Sequence, residues 1–373
     1  MRLAAYNVEN LFARPKAMDT SQADAETRRT VLAAHARLSE LFALVEYAGV
    51  EEEMLALLET LGVLSDDEGE FVLLRKTRGQ LLHRPRSGPV EVVATGRADW
   101  VGWLELKTVA VDERATENTA RVIRDVHADV LGVVEADNRP DLALFSSTLL
   151  RSVGAAPYDQ VMVVEGNDTR GIDVGLLAVG DYPIVSMRSH IFDVDDEGVV
   201  FSRDCCEYHL DTPAGSRLVV MVNHFKSKGY STPGDPTGAK RRERQAVRVA
   251  EIYQGLRDEG IEHIAVVGDL NDDAASASLQ PLLATGVSDV SAHPDFDWNH
   301  RRGTYGSGNE RDKIDHLLMS PELFDHCVGG GVFRMGVWRG SRTSDPWDIY
   351  PTMEGPEHEA SDHAAIFADL TEF

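Results

Sequence analysis

The most informative stretch of this chain is Ala265-Val266-Val267-Gly268-Asp269-Leu270-Asn271-Asp272. An apolar run of strand type stops at a glycine, and an Asp and an Asn follow two positions apart. Since residues i and i+2 of an extended chain share one face, we expect Asp269 and Asn271 to reach the same point in space. A carboxylate beside an amide suits a site that takes a proton from water and holds an oxyanion or a metal. Taken alone, the stretch is equally compatible with an ordinary polar turn at a strand end.

The length and composition of the chain fit one large α/β domain or two ordinary ones. It has 373 residues, of which 43% are hydrophobic, enough to fill a sizeable core. No apolar segment approaches the length needed to span a bilayer. The first residues are strand-like and lack the apolar core and cleavage site of a secretory signal. We therefore expect a cytoplasmic protein, or a secreted one if a leader has been removed.

The charge of the chain restricts its partners. A formal net charge of −25 repels polyanions at long range and argues against a broad, non-specific nucleic-acid clamp. It leaves room for a local positive groove, because basic residues cluster between residues 226 and 248. This cluster comprises Lys226, Lys228, Lys240, Arg241, Arg242, Arg244 and Arg248. A solvated loop at the first lysines and a solvated helix face at the arginines are the alternatives.

Hydrophobic periodicity divides the chain into a long α/β region and a stretch with a different hydrophobic pattern. The α/β region alternates buried-type strands with helices, with strands near residues 3–8, 130–134 and 217–223. Residues 13–113 instead combine two helical patterns with short strands broken by Gly and Pro, and they hold none of the polar constellations found elsewhere. We therefore predict a single domain over residues 1–373 with an insertion or subdomain at residues 13–113.

One pattern recurs along the α/β region: six apolar strands each end at, or begin just after, a polar cluster. The clusters contain Asn7, Glu135, His224, Asp269 with Asn271, Asp315 with His316, and Asp362 with His363. Strand ends gathered along one edge of a sheet are where such folds place their sites. Carboxylates and amides provide the hard oxygen ligands that Mg²⁺, Mn²⁺ or Ca²⁺ prefer, and histidines donate protons near neutral pH. The combination points toward metal-assisted phosphoryl chemistry.

These clusters belong to longer motifs that follow one another in a known order. The motifs are Asn7-Val8-Glu9-Asn10-Leu11-Phe12, Val134-Glu135, Asn223-His224-Phe225-Lys226-Ser227-Lys228-Gly229, Gly268-Asp269-Leu270-Asn271, Lys313-Ile314-Asp315-His316 and Ser361-Asp362-His363. Together they resemble the motifs of the endonuclease/exonuclease/phosphatase superfamily. Their sequences are most similar to those of its bacterial nuclease-like members. The resemblance covers residues 1–12 and about 115–373. It implies a four-layer α/β sandwich of two packed mixed β-sheets flanked by helices, with the site at one edge.

The resemblance also implies which residues bind the metal and the substrate. Glu135 resembles the principal metal ligand, with Asn7 beside it and Asp362 at a second metal position. Mg²⁺ is the expected ion, with Mn²⁺ or Ca²⁺ as alternatives. The expected substrate-phosphate contacts are Arg170, Arg203, Lys226 and Lys228.

The catalytic residues implied by the resemblance are His224, Asp269, Asn271, Asp315 and His363. Asp269 would orient or deprotonate the attacking water, and Asn271 would hold the phosphate or that water. His363, held by Asp362, would stabilise the transition state or protonate the leaving oxygen. His224, oriented by Asp315, would act from the other side of the phosphate.

Three functions are compatible with these features. The leading one is a divalent-metal-dependent phosphodiesterase that acts on nucleic acid or nucleotides by in-line attack of water. The second keeps the chemistry but takes a small-molecule or lipid-like phosphoester, because the charge of −25 and the long insertion would disfavour duplex DNA. The third is a pseudoenzyme that binds a partner through residues 13–113, and the filled catalytic positions argue against it.

Overall fold

A computed structural model describes residues 1–9, 11, 13–18, 24–168, 170–228, 234–339 and 347–373. The chain forms two compact units. The first unit contains Met1–Phe12, Val111–Lys226 and Ala239–Phe373. The second contains Ala13–Ala110 and Ser227–Gly238.

Among the described residues, the strands are β1 (Arg2–Asn7), β2 (Ala13–Pro15), β3 (Val72–Arg78), β4 (Leu82–His83), β5 (Glu91–Val92), β6 (Val101–Leu106), β7 (Thr108–Ala110), β8 (Val130–Ala136), β9 (Gln160–Val164), β10 (Asp173–Ala178), β11 (Ile184–Arg188), β12 (Val194–Asp195), β13 (Gly198–Val199), β14 (Cys206–Asp211), β15 (Arg217–His224), β16 (His263–Asp269), β17 (Ser288–Asp289), β18 (Phe296–Asp297), β19 (Asp315–Met319), β20 (Cys327–Phe333) and β21 (Ala365–Leu370). The α-helices are α1 (Ala25–Phe42), α2 (Glu51–Thr60), α3 (Glu113–Val126), α4 (Arg139–Ser152), α5 (Ala239–Asp258), α6 (Gln280–Leu283) and α7 (Pro321–Phe324). Short 3₁₀ helices occupy Lys16–Met18, Ala277–Leu279, Val290–Ala292, Glu310–Asp312 and Pro356–His358. None of the described helices combines the length and apolarity needed to cross a membrane.

Two mixed sheets make up the first unit. In the described residues, one sheet has seven strands in the order β18-β20-β21-β1-β8-β10-β9, and the other has six in the order β11-β14-β15-β16-β19-β17. Each sheet has a parallel pair at its centre, β1 with β8 and β15 with β16, between antiparallel neighbours. The alternation of strands and helices in the sequence predicted this mixed α/β class, and the structure confirms it.

The two sheets pack face to face over one apolar core. Val134 and Leu176 enter this core from the seven-stranded sheet, and Val220 and Val267 enter it from the other. The sheets approach closely at Gly132, where a Cβ would meet the Val267 side chain at 2.8 Å. Helices α3 and α4 cover the outer face of the first sheet, and α5 and α6 cover the outer face of the second. The predicted four-layer sandwich is therefore present.

Capping residues explain where the helices begin and end. The Asp112 side chain accepts a hydrogen bond from the Arg114 amide at the start of α3, and His127 ends the helix in the left-handed conformation. Apolar residues at helical spacing begin only near residue 118, which by itself predicts that the helix starts there. The structure starts it at Glu113 because the cap stands before the apolar stripe.

Two strands of these sheets lack the hydrophobic pattern by which a strand is predicted from sequence. Strand β14 buries Glu207 and His209, whose charged or polar character disguises a strand in the sheet. Strand β20 contains Gly329, Gly330 and Gly331, and glycine runs ordinarily indicate a loop. At Gly330 a Cβ would stand 2.4 Å from the Phe367 carbonyl oxygen of β21, so this strand pairs at a distance that only glycine permits.

The second unit has an apolar core of its own. Helices α1 and α2 pack with the strand pairs β3–β6 and β4–β5 around residues such as Leu38, Leu58 and Trp100. Asp24 caps α1 by accepting hydrogen bonds from two backbone amides of its first turn. The sequence predicted two helices followed by short strands here. That these residues are an insertion within a single family domain stays a prediction.

Candidate active site

Strand ends bring the predicted polar residues together at one edge of the first unit. His224 at the end of β15 is opposite Asp269 at the end of β16, and Asp269 is opposite Asp315 at the start of β19. Each of these residues lies two positions from an apolar residue in the core between the sheets, so strand alternation turns its side chain toward that space. Asn7 follows the same rule at the end of β1.

The carboxylate of Asp269 lies at the centre of the cluster. Its Oδ2 accepts hydrogen bonds from Asn271 Nδ2 at 3.1 Å and from Asn7 Nδ2 at 3.3 Å. The Nε2 atoms of His224 and His363 stand 3.6 Å and 3.9 Å from the same oxygen. Only 2% of Asp269 is exposed, so the amides and imidazoles around it take the place of water.

The turn after β16 has an unusual backbone. Gly268 has a φ of 122°, and a Cβ there would lie 2.1 Å from the Asn223 carbonyl oxygen. Asn271 has a φ of 54°, so the chain is not extended from Asp269 to Asn271. The two side chains meet because the turn folds back. The backbone N–H of Asn271 donates to Asp269 Oδ1 at 2.8 Å. The predicted proximity is present for a different reason, a tight turn instead of strand alternation.

Glu135 reaches the cluster through a bulge in β8. The register of β8 against β10 slips by one residue at this point, and Glu135 has a φ of 63°, a costly conformation for a residue with a side chain. Regular alternation would place Glu135 on the helix-covered face together with Val133. Instead its Oε1 lies 3.4 Å from Asn7 Nδ2 and 3.7 Å from His224 Nε2. The bulge thus turns this carboxylate into the cluster.

His363 is held by Asp315 and not by Asp362. Its Nδ1 lies 2.9 Å from Asp315 Oδ2, whereas Asp362 is partly exposed and stands 3.7 Å from Nε2. Asp315 is therefore the hydrogen-bond partner of His363, which corrects the predicted pairing of Asp315 with His224, and the predicted pairing of His363 with Asp362 is present only as a longer contact. Asp362 faces the other ring nitrogen of His363, at a distance too long for a hydrogen bond. Burial alone would lower the pKa of His363, but the charges of Asp315, Asp362 and Asp269 raise it well above its usual value.

His224 approaches Asp269 in a different charge state. Its Nδ1 is buried and has no hydrogen-bond partner among the residues that the structure describes. Burial, followed by the charges of Arg203 and Arg170, lowers the pKa of His224 well below its usual value. The two imidazoles near Asp269 therefore have opposite pKa shifts, which favour the neutral form of His224 and the charged form of His363. Such a difference suits separate roles for two otherwise similar groups.

The motif at the end of β1 is tied to the motif before β21. Ser361 Oγ donates to the Asn7 carbonyl at 2.8 Å and accepts from the His363 amide at 3.0 Å. Glu9 accepts from the Asp362 amide at 3.1 Å, and its own amide donates to Asn7 Oδ1 at 3.0 Å. Glu9 thus supports two predicted metal ligands by holding the segments that carry them.

Arg170 and Arg203 share the carboxylate of Asp168. Arg170 donates through Nη2 at 2.6 Å and Nε at 2.9 Å, and Arg203 donates through Nη1 at 3.1 Å. Burial would raise the pKa of Asp168, but the two arginines hold it far below its usual range. The charges of both arginines lower the pKa of His224. Arg203 is 1% exposed, and its predicted contact with phosphate stays a prediction.

The two lysines predicted to bind phosphate have different surroundings. Lys226 is partly buried, and its backbone amide donates to Gln245 Oε1 at 2.8 Å. Burial, together with the charges of Arg203 and Arg170, lowers the pKa of Lys226 to about 7. Lys228 is exposed and belongs to the second unit. The positions of Lys226 and Lys228 do not show whether either side chain contacts a phosphate, so both contacts stay predictions.

An aromatic residue that the sequence did not single out lies against His363. The ring of Tyr305 is 4.9 Å from the ring of His363, and 40% of Tyr305 is exposed. Backbone hydrogen bonds to Asp312 and to Asp362 hold the loop on both sides of it. The available signal was an aromatic residue within the polar, glycine-rich segment 301–308, where an exposed ring has no core to fill.

The donor atoms of the cluster fit a divalent cation. Asp269, Asp315 and His363 each offer a ligand atom, all within 4.8 Å of one another. Because Asp315 and His363 already bond to each other, the Glu135 carboxylate beside Asp269 is the better hard oxygen ligand. Burial raises the pKa of both Glu135 and Asp269. A buried and a mostly buried carboxylate at one place are costly to ionise together, and a divalent cation would lower that cost.

The sequence of this chain matches a known protein family. The model of the endonuclease/exonuclease/phosphatase family matches residues 109–363, more than half of the chain. The chain belongs to this family. Members of the endonuclease/exonuclease/phosphatase family are phosphoester hydrolases that generally depend on a divalent metal. The resemblance inferred from the six motifs is confirmed.

Solved structures of this family share the fold. A mannosyl-6-phosphatase from Bacteroides thetaiotaomicron has 18% identity and a TM-score of 0.50, over 69% of this chain and 91% of that chain. A second family protein from the same organism has 18% identity and a TM-score of 0.49, over 68% and 88%. The human Nocturnin catalytic domain with bound sulfate has 14% identity and a TM-score of 0.47, over 71% and 88%. None of the curated proteins matches the chain.

Proposed function

We propose that the protein is a divalent-metal-dependent phosphodiesterase that hydrolyses phosphodiester bonds in nucleic acid or nucleotides by in-line attack of water. The observation that carries the proposal is the buried Asp269 carboxylate, which lies within 4 Å of two imidazoles and two amides. A carboxylate fixed in this way can orient a water molecule and accept its proton. The surrounding donors can stabilise the charge that grows on the phosphoryl oxygens.

The geometry supports a role for each residue near the reacting phosphate. Asp269 orients and deprotonates the attacking water. His363, charged and held by Asp315, stabilises the transition state or protonates the leaving oxygen. His224, neutral and 3.6 Å from Asp269, donates to the phosphate from the other side. Asn271 holds the water beside Asp269.

Glu135 and Asn7 would hold the cation, with Asp362 at the edge of the cluster as a further ligand. When bound, Mg²⁺, or Mn²⁺ or Ca²⁺ in its place, supplies Lewis-acid stabilisation of the phosphoryl charge. Arg170 and Lys226 would supply positive charge for the substrate phosphate, and the charges of Arg170 and Arg203 act on His224. The contact of Lys228 with phosphate stays a prediction.

The exposed ring of Tyr305 favours a substrate that carries a ring next to the phosphate. An aromatic face beside His363 can stack against a nucleobase at little conformational cost. This supports nucleic acid or nucleotides over simple phosphoesters. The net charge of −25 favours the second candidate, a small-molecule or lipid-like phosphoester, because it repels long polyanions.

A substrate panel tests the proposal. The purified protein would be offered plasmid DNA, single-stranded DNA, RNA, thymidine 5′-monophosphate p-nitrophenyl ester and methyl p-nitrophenyl phosphate, each with Mg²⁺, Mn²⁺, Ca²⁺ or EDTA. We expect metal-dependent cleavage with a preference for the nucleoside ester over the methyl ester. Turnover of small esters alone would favour the second candidate. Inertness toward every phosphodiester with every metal would contradict the proposal.

Variants of the cluster identify the catalytic groups. Asp269→Asn and His363→Ala should each lower kcat by roughly 10²–10⁴-fold, because each removes a proton-transfer or charge-stabilising group. Asp258→Asn, at an exposed position on α5, is the matched control and should leave kcat unchanged. Thermal unfolding separates loss of chemistry from loss of fold. Full activity in folded Asp269→Asn would count against the assignment.

A further inference from the structure

Arg203 is a buried cation whose hydrogen bonds lead toward the turn that carries Asp269. Its Nη1 donates to Asp168 at 3.1 Å, and its Nη2 donates to the Phe225 carbonyl oxygen at 2.6 Å. With 1% of its surface exposed, Arg203 is enclosed by protein. A guanidinium in such a place is held by its acceptors, and Asp168 is the acceptor that carries a compensating charge.

The Phe225 peptide connects Arg203 to two residues of the cluster. Its carbonyl oxygen also accepts a hydrogen bond from Asn271 Nδ2 at 3.1 Å. Its amide donates to the Asp269 carbonyl oxygen at 2.9 Å. Arg203 and Asn271 therefore bind the same carbonyl, and the position of that carbonyl decides where the Asn271 amide group lies.

These contacts set the orientation of the Asn271 side chain. The amide nitrogen has two hydrogens, and its two acceptors are the Phe225 carbonyl and Asp269 Oδ2. A flip of the amide would bring its oxygen against two other oxygens, which is unfavourable. The amide oxygen is thus the atom that Asn271 turns toward a ligand, where it accepts a hydrogen bond from water.

We propose that Asp168 and Arg203 are positioning residues for the turn that carries Asp269 and Asn271. Asp168 holds the guanidinium of Arg203, the guanidinium holds the Phe225 carbonyl, and that carbonyl fixes the Asn271 amide beside Asp269. Arg203 acts on the reaction through this peptide and not by contact with the substrate phosphate. The inference rests on the proposed function, because a productive orientation is defined only for hydrolysis at this cluster.

The test is a double-mutant cycle on thymidine 5′-monophosphate p-nitrophenyl ester with Mg²⁺. Arg203→Lys keeps the charge but cannot reach both acceptors, and it should lower kcat by roughly 10–100-fold with KM within about threefold. Asp168→Asn should act in the same direction. In an Asn271→Ala background, either change should lower kcat by no more than about threefold, because the group it positions is already gone.

Arg244→Lys is the matched control, since Arg244 forms an ion pair with Asp195 of β12 in the same unit. It should leave kcat unchanged in both backgrounds. Effects of Arg203→Lys that multiply with those of Asn271→Ala would overturn the inference, as would a loss confined to KM. If Arg203→Lys does not fold, Asp168→Asn with Asn271→Ala completes the same cycle.

Failure of the proposed function has a different signature. A wild-type protein that cleaves no phosphodiester would remove the hydrolytic role, whereas the contacts are tested separately by urea unfolding of the same variants. Shifts in the urea midpoint that are less than additive for Arg203→Lys and Asn271→Ala support the shared carbonyl. Additive shifts would show that the two side chains are not coupled and would overturn it.

Discussion

At Gly268 the backbone requires glycine for two independent reasons. The φ of 122° disfavours any L side chain, and a Cβ would lie 2.1 Å from the Asn223 carbonyl oxygen of the neighbouring strand. That close approach sets His224 beside Asp269 across the parallel pair β15–β16. The glycine in Gly-Asp-Leu-Asn therefore serves the contact between His224 and Asp269, the two proposed catalytic residues, as well as the turn.

Gly268→Ala is accordingly expected to lower both stability and activity. We expect a loss of at least about 2 kcal/mol in the free energy of unfolding, because backbone strain and a backbone clash act together. Gly286→Ala is a matched control, since Gly286 also has a positive φ of 91° but would meet no atom within 4 Å. Urea unfolding of both variants gives the comparison. Equal losses would show that the close approach is not what requires glycine at residue 268.

Pairing of charged residues was the least predictable feature at the residue scale. Sequence neighbours suggested that Asp362 holds His363, yet the partner is Asp315, 48 positions away in the chain. The start of β19 and the segment before β21 come together only in the folded sandwich. The residue types were thus predictable from the motifs, whereas their hydrogen-bond partners depended on tertiary packing.

At the scale of elements, strand β14 carries a buried polar cluster that the sequence did not reveal. Glu207 accepts from His190 at 2.6 Å and from His209 at 3.0 Å, while Asp193 faces the other nitrogen of His190 at 3.2 Å. Burial would raise the pKa of Glu207, but the two histidines lower it to about 2. Burial would lower the pKa of His190, but Glu207 and Asp193 raise it. The cluster joins β14 to the loop after β11.

Stability should depend on pH through this cluster. The lowered pKa of Glu207 stabilises the fold above its unfolded value of about 4.5, and this is lost as pH falls toward 2. The raised pKa of His190 stabilises the fold below about 6.5 and is lost as pH rises through its folded value. We expect the stability difference between wild type and Glu207→Gln to be largest between about pH 4.5 and 6.5. Urea midpoints measured from pH 4 to 9 test this, and a difference independent of pH would contradict it.

The sequence predicted those strands whose side chains are apolar and whose two faces are both buried. Strands β8, β15 and β16 are continuous apolar runs because both of their faces are buried, and the sequence shows them plainly. Strands β14 and β20 do not follow this rule. One buries ionisable side chains in mutual hydrogen bonds, and the other uses glycine to approach β21. Neither property leaves a hydrophobic pattern in the chain.

For the molecule as a whole, the cluster links cation binding to folding. Burial raises the pKa of the Glu135 and Asp269 carboxylates, so a cation beside them would favour their ionised forms in the folded state. Mg²⁺ at about 100 times its Kd should stabilise the wild type by roughly 2.7 kcal/mol. In EDTA, Glu135→Gln should be as stable as the wild type or more so, because it removes one of these carboxylates.

Thermal unfolding with and without Mg²⁺ checks this linkage. The wild type should gain several degrees in Tm, and Glu135→Gln should gain much less because a ligand of the cation is missing. The exposed variant Asp258→Asn should respond like the wild type. An equal gain in Glu135→Gln would show that this carboxylate does not bind the cation.

The sequence by itself determined the family, the four-layer class of fold and most of the residues at the candidate site. It could do so because Asn7, His224, Asp269 and Asp315 continue the alternation of the apolar strands that carry them, so that one face of each strand leads into the cluster. Six motifs in one order made that pattern specific.

Only the tertiary structure decided how Glu135, His363, Arg203 and Tyr305 take part. Glu135 enters through a bulge that reverses the side its strand position would give it, and His363 is oriented by a residue from another strand. Arg203 reaches the cluster through a shared carbonyl, and Tyr305 through a loop held by backbone hydrogen bonds. Such contacts join residues far apart in the chain, and the periodicity of a single strand or helix contains no information about them.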